Sequence, residues 1–208
     1  MGFWEQRVVP RLVDFACGAA EIRPWREQAC AGLQGRVLEI GFGSGLNVDL
    51  YPDAVTTVAA IEPSDRGWAL SEKRRGGADV PIERSGLDGQ RLSEADASAD
   101  SALCTFALCT IPDAAAALHE VRRVLVSGGR FHFLEHGLAP DPRVQTWQRR
   151  LDPLQGRLFG GCHLTRDIPA LLDDAGFEVE QIEQRYLPGP ALGRPWSYGS
   201  VGVAVARS

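Results

Sequence analysis

The chain has 208 residues, enough for one substantial hydrophobic core and not for two. Lys and Arg number 22 against 27 Asp and Glu, a formal net charge of −5, which argues against nucleic-acid phosphate as the main ligand. An apolar fraction of 44% excludes a wholly disordered chain, and no apolar run approaches the ~18 residues of a membrane span.

In chain order, an amphipathic helix is expected over Trp4–Gly18, with Val8, Val9, Leu12 and Phe15 on one face. Met1–Pro10 shows no charged-then-apolar leader, so a soluble cytoplasmic protein is expected. A second helix is expected over Trp25–Leu33. Short apolar runs then read as buried strands: Arg36–Ile40, Thr56–Ile61, Val80–Glu83, Asp100–Phe106 and Arg130–Leu134. Helical patterns lie between them at Asp65–Arg75 and Pro112–Val126, the latter with Ala116, Leu118, Val121, Val124 and Leu125 as an apolar stripe. Strands alternating with helices imply βαβ units and a largely parallel sheet covered on both faces. Helical patterns resume at Pro142–Phe159 and Arg166–Ala175. Phe177–Arg185 and Ser197–Ala206 then read as two strands with no helix between them, hence an antiparallel pair.

The most informative segment is Val37-Leu38-Glu39-Ile40-Gly41-Phe42-Gly43-Ser44-Gly45-Leu46-Asn47. A strand runs into three glycines at alternate positions, and a helix should follow. The glycines permit a tight turn and close approach of a ligand to the backbone. A dinucleotide fingerprint requires G-x-G-x-x-G, but here Leu46 stands where the last glycine should be. Glu39 just ahead of the turn is poor company for pyrophosphate and good company for an ammonium or sulfonium group. Glu62, ending the second strand, is placed to accept hydrogen bonds from ribose hydroxyls. Asp88 and Gly89, after the third strand, could meet a base edge. Together they fit S-adenosylmethionine, with S-adenosylhomocysteine as the product.

The run resembles the first motif of the class I S-adenosylmethionine-dependent methyltransferases. The likeness continues through Ile61-Glu62-Pro63, Leu87-Asp88-Gly89-Gln90-Arg91-Leu92 and Glu120 to Arg130. It implies a Rossmann-like α/β fold: a seven-stranded, mostly parallel sheet with the last strand antiparallel and helices on both faces. The implied cofactor-binding set is Glu39, Gly41, Gly43, Gly45, Asn47, Glu62, Pro63, Asp88, Gly89 and Thr105. A single domain is expected over 1–208, with 1–35 a helical segment that could act as a lid, 36–136 the cofactor half and 137–208 the acceptor half. Leu103 to Cys109, Phe133-Leu134-Glu135-His136, Leu151-Asp152-Pro153 and Gly161-Cys162-His163-Leu164-Thr165-Arg166 are similar to segments of the methyltransferase-like 7 proteins. Those act as thiol S-methyltransferases, and their animal members carry an amino-terminal hydrophobic anchor that is not expected here. The resemblance implies methyl transfer to a small molecule, a thiol foremost. Oxygen, nitrogen or carbon acceptors and a non-catalytic cofactor-binding protein stay open.

Methyl transfer from a sulfonium is an in-line displacement with a good leaving group, so a base is needed only where the acceptor must lose a proton. His136, at the end of the fifth strand, is a candidate base or acceptor-orienting group, or else a structural histidine. His163 is a candidate acceptor contact. Asp152 could orient either histidine or serve as a cap. Arg166 could bind an acidic acceptor or anchor a loop. Trp147 and Trp196 could wall an apolar pocket or pack in the core. The five cysteines contain no C-x-x-C; they are expected to be small core residues, with Cys162 buried and inert, and no metal is expected. His132-Phe133-Leu134-Glu135-His136 spells the H-x-x-E-H zinc-protease motif, but that motif requires a helix. On a strand the two histidines stand about 13 Å apart at ~3.3 Å per residue, too far to share one zinc.

Overall fold

The computed structural model describes residues 9–187 and 190–207. Seven strands form one sheet: β1 (Gly35–Ile40), β2 (Val55–Ile61), β3 (Ile82–Gly86), β4 (Ala99–Thr105), β5 (Leu125–His136), β6 (Phe177–Tyr186) and β7 (Tyr198–Ala206). Their order is β3-β2-β1-β4-β5-β7-β6. β1 to β5 pair in parallel, while β7 lies antiparallel between β5 and β6. The helices are α1 (Val9–Cys17), α2 (Arg23–Cys30), α3 (Asp65–Leu70), α4 (Glu72–Gly76), α5 (Ala114–Val124), α6 (Pro142–Leu158), α7 (Ile168–Asp174) and α8 (Arg194–Ser197).

Alternation within the central strands sends neighbouring residues to opposite cores. Leu38, Ile40, Phe131 and Phe133 join Leu118, Val121 and Val124 of α5 and Leu172 of α7 in one cluster. Val37, Leu103 and Leu134 join Trp25, Ala29 and Cys30 of α2 in the other. α2 is therefore a packed wall of the domain. The first expected helix falls partly on residues 1–8, outside the described residues. Within its described part Phe15 is 83% exposed, so the predicted apolar face does not bury it.

Four local expectations are corrected. No α-helix follows the glycine turn; a single 3₁₀ turn, Val48–Leu50, stands there, and Tyr51 is extended because Pro52 follows it. Asp65–Arg75 is two short helices, because Ser71 sits between them with its hydroxyl donating to the Trp68 carbonyl at 2.7 Å. α5 begins behind the Asp113 cap, whose carboxylate accepts from the Ala116 N–H at 2.9 Å. Its buried stripe is Ala114, Ala117, Leu118, Val121 and Val124, with Ala116 only half-buried.

Candidate active site

The glycine turn leaves β1 at its carboxyl end, between β2 and β4, where the strand order reverses. Gly41, Gly43 and Gly45 all have positive φ (72°, 58° and 76°), which L side chains rarely adopt. A Cβ at Gly41 would stand 2.2 Å from the Ala107 Cβ, so this glycine lets the loop after β4 close on the turn. A Cβ at Gly43 would meet only the Gly41 carbonyl oxygen, at 3.8 Å, so this glycine borders open space. Glu62, nearly buried, accepts from the Gly43 N–H at 2.6 Å and from the Ser64 N–H at 2.7 Å. Burial raises its pKa, opposed by those two donors and Arg84. Each carboxylate oxygen keeps a lone pair for a hydroxyl. Pro63 beside it is exposed. Asp88 is exposed and accepts from the Gln90 side chain and N–H, which hold its pKa low. Gly89 is buried against Ile40 and Ile111. An open turn beside a hydroxyl-accepting carboxylate fits the ribose of a nucleoside.

Glu39 lies beneath this surface. It is 1% exposed, accepts from Asn47 Nδ2 at 2.9 Å, and takes a short hydrogen bond from the Tyr51 hydroxyl. Burial raises its pKa to about 7, against the pull of Tyr51, Asn47 and Arg26. Arg26 of α2 donates to Asn47 Oδ1 at 2.7 Å and to Thr105 Oγ1 at 2.9 Å, and Asn47 also donates to Thr105 at 3.0 Å. Glu39, Asn47 and Thr105 thus form one closed, buried network, and both Glu39 oxygens already have donors. A cavity of about 990 Å³, lined by Cys17, Arg26, Leu46, Tyr51 and Val80 among others, lies beside this network. Its lining includes none of Gly41, Gly43, Glu62 and Asp88, so it is not the cradle itself.

The residues expected on the acceptor side assemble in two groups. His136 Nε2 lies 3.0 Å from Cys162 Sγ, and Cys162 Sγ lies 3.8 Å from Cys109 Sγ. Burial works against charge on His136, but the Cys162 sulfur with Glu135 and Asp152 outweighs it and raises the imidazole pKa. Cys109 and His136 in turn pull the Cys162 thiol well below its ordinary value. Cys162 is buried, as expected, but its surroundings are not inert. In the second group His163 Nδ1 meets Asp152 Oδ2 at 2.9 Å, and Asp152 also accepts from the Leu164 N–H at 2.6 Å and the Thr165 hydroxyl at 3.3 Å. Asp152 therefore orients His163, and its hydrogen bonds hold its pKa low despite burial. Arg166 anchors a loop, donating to the carbonyls of Leu108 and Ile111. Trp147 and Trp196 are 54% and 44% exposed, so neither packs in the core. His132 lies on β5, buried, with Nδ1 2.9 Å from the Ala29 carbonyl oxygen and apart from the His136 group, as the strand reading requires.

Sequence reasoning missed Arg26, Tyr51, Cys109 and Glu135. Glu135 is fully buried at the end of β5 and accepts from the N–H groups of Ala107, Leu108 and Cys109 at 2.9, 3.0 and 3.4 Å. It fixes the turn after β4, where Phe106 adopts a positive φ of 55°. A signal was available: an acid in an otherwise apolar strand implies buried donors waiting for it.

A family model described as "Methyltransferase domain" matches residues 38–133. That match, the sheet order and a 34% identity to human thiol S-methyltransferase TMT1A make the chain a class I S-adenosylmethionine-dependent methyltransferase, an enzyme whose cofactor is S-adenosylmethionine. The human thiol S-methyltransferase TMT1A is 34% identical over 183 residues, covering 83% of this chain and 73% of that protein. A phosphatidylethanolamine N-methyltransferase of Cereibacter sphaeroides is 28% identical over 177 residues, covering 83% and 85%. Among solved structures, a methyltransferase of Thermotoga maritima superposes with a TM-score of 0.66 at 21% identity, covering 98% of each chain. The chain belongs to the family of thiol S-methyltransferase TMT1A. Among the described residues no helix is long and apolar enough to cross a membrane.

Proposed function

We propose that the protein transfers the methyl group of S-adenosylmethionine to the sulfur of a small-molecule thiol. The likeness to the thiol S-methyltransferase carries this reading, because its 183 residues must run well beyond the 38–133 cofactor region into the acceptor half. Gly41, Gly43 and Gly45 would seat the methionyl end, Glu62 and Pro63 the ribose, and Asp88 and Gly89 the base. Glu39 and Thr105 act as positioning residues: they hold Asn47, which follows Gly45 by two residues. The cofactor supplies an activated methyl group. The acceptor sulfur forms the new S–C bond as the methyl–sulfonium bond breaks, and that bond's electron pair stays with the departing sulfur. The thiol proton must leave, and a thiol of ordinary pKa ~8.5 needs only modest help. His136 would orient the acceptor sulfur, and the Asp152–His163 pair would pass the thiol proton to solvent.

The test is a methylation assay against a panel of alkyl thiols, phenols and amines. S-methyl products are the expected outcome. Turnover of phenols or amines with no thiol product would overturn the thiol reading. A nitrogen acceptor is the second reading, favoured by the N-methyltransferase relative that covers both halves.

A further inference from the structure

Cys109, His136 and Cys162 come from three separate parts of the chain, yet their ligand atoms all lie within 4.8 Å of one another. The other buried cysteines behave differently. Cys104 packs in the large apolar cluster and Cys30 in the one on the opposite face, while Cys109 and Cys162 belong to neither. Each ligand is held by its own support. Cys109 is fixed by Glu135 at its N–H and by the His163 N–H at its carbonyl, 2.8 Å away. His136 closes β5 in register with Gly199 of β7. Cys162 hangs from the turn after α6 through its N–H to the Phe159 carbonyl.

Two sulfurs on a tetrahedral zinc, at Zn–S of about 2.3 Å, stand about 3.8 Å apart, which matches the observed 3.8 Å. A zinc-bound sulfur and imidazole nitrogen stand about 3.5 Å apart, so His136, 3.0 Å from Cys162, would retreat by about half an ångström. Three protein ligands leave the fourth position open, as in catalytic zinc sites. Both thiols are buried and His136 is only half-buried, so the open position lies on its side. The turn that carries Cys109 also packs Ala107 against Gly41, so this cluster and the cofactor cradle share a wall.

We propose that Cys109, His136 and Cys162 bind Zn²⁺, and that its open position takes the acceptor sulfur. The second half rests on the thiol reading above. A thiol that binds the ion loses its proton to solvent and becomes a thiolate. Its lone pair then forms the S–CH₃ bond while the methyl–sulfonium bond breaks, and the neutral thioether product leaves the metal.

The full chain, reduced with a phosphine and stripped by a chelator, is titrated with Co²⁺. One equivalent should give a near-ultraviolet thiolate-to-cobalt charge-transfer band and the visible bands of four-coordinate cobalt, both abolished by added Zn²⁺. Cys109→Ser, Cys162→Ser and His136→Ala should each weaken Co²⁺ binding at least ~10-fold. Cys30→Ser, distant from the cluster, should leave the spectrum as in the parent. Should the variants not fold, the parent itself still decides: Zn²⁺ should protect Cys109 and Cys162 from alkylation and leave Cys17 open. Absence of the charge-transfer band, its survival at full intensity and parent affinity in Cys162→Ser, or no protection by Zn²⁺ overturns the site. So does a Cys109–Cys162 disulfide in the isolated chain that, once reduced, takes no cobalt. Added ethanethiol should shift the cobalt spectrum, and an unmoved spectrum overturns the role of the open position. The cobalt titration needs no turnover, so failure of the thiol assay alone would not mimic failure of the metal site.

Discussion

The proposed cofactor side and the proposed acceptor side of this molecule are held together by different means. The cradle is almost all backbone: three glycines of positive φ, ordered by β1, with Glu62 at the end of the adjacent strand reaching across to the Gly43 N–H. The acceptor side is assembled by side chains across long stretches of sequence. Glu135 holds the turn 107–109, Arg166 ties that turn to the loop after α6, and Asp152 gathers the 163–165 segment. A backbone cradle is specified by a short run of residues. A site tied by buried carboxylates is specified only by the whole fold.

The sharpest way to break this contrast is on the cradle. Gly43→Asp forces a β-carbon into a left-handed position and sets a second carboxylate beside Glu62. Binding of S-adenosylhomocysteine, measured by calorimetry, should fall at least ~100-fold, roughly 3 kcal/mol or more. A variant that binds as tightly as the parent would show that the cradle lies elsewhere. The matching change on the acceptor side should act on stability instead. Glu135→Ala strips three buried N–H groups of their acceptor, and urea unfolding should show a loss of about 3–5 kcal/mol.

This contrast also explains what was legible in the sequence. The parallel strands β1 to β5 are legible as short apolar runs and β7 by its alternating valines, and the glycine turn because its glycines and Glu62 fall at fixed offsets. The short elements were less legible. Ser71 splits a helix through its side chain, and Pro52 stops the one expected after the turn. On the acceptor side the Asp152–His163 pair could be anticipated, since the two lie eleven residues apart. The meeting of Cys109 with Cys162 could not, since it depends on how the turn after β4 and the loop after α6 fold against each other. Glu39 reads in the sequence as a partner for the ligand's positive charge. In the structure its oxygens accept from Asn47 and Tyr51, a role that only the arrival of Tyr51 from beyond the 3₁₀ turn reveals.

Glu39 gives a pH test of that difference. Its folded pKa is raised from the ordinary 4.5 to about 7, so the folded state holds this proton more tightly than the unfolded chain does. Stability from this group is full below about 4.5 and is lost as pH rises toward 7. Unfolding free energies measured from pH 4.5 to 8 should therefore decline by roughly 2–3 kcal/mol more in the parent than in Glu39→Gln. Parallel curves would mean that Glu39 is ionised throughout, and that Arg26 and Asn47 neutralise it more fully than burial opposes it.

The smallest effect is expected at the rim of the cradle. Asp88 is exposed, and Gln90 already engages its carboxylate through both a side-chain and a backbone donor. A contact from this group to the base is made in water and competes with those donors, so it is worth about 0.5–1.5 kcal/mol. Asp88→Ala should weaken S-adenosylhomocysteine binding only about 3- to 10-fold and leave the unfolding midpoint unchanged. Replacing the base with a purine that lacks the exocyclic amine should cost the parent the same factor and the variant nothing further. Equal sensitivity of parent and variant to that amine would assign base recognition to the Gly89 backbone alone, and the rim, like the rest of the cradle, would then be built without side chains.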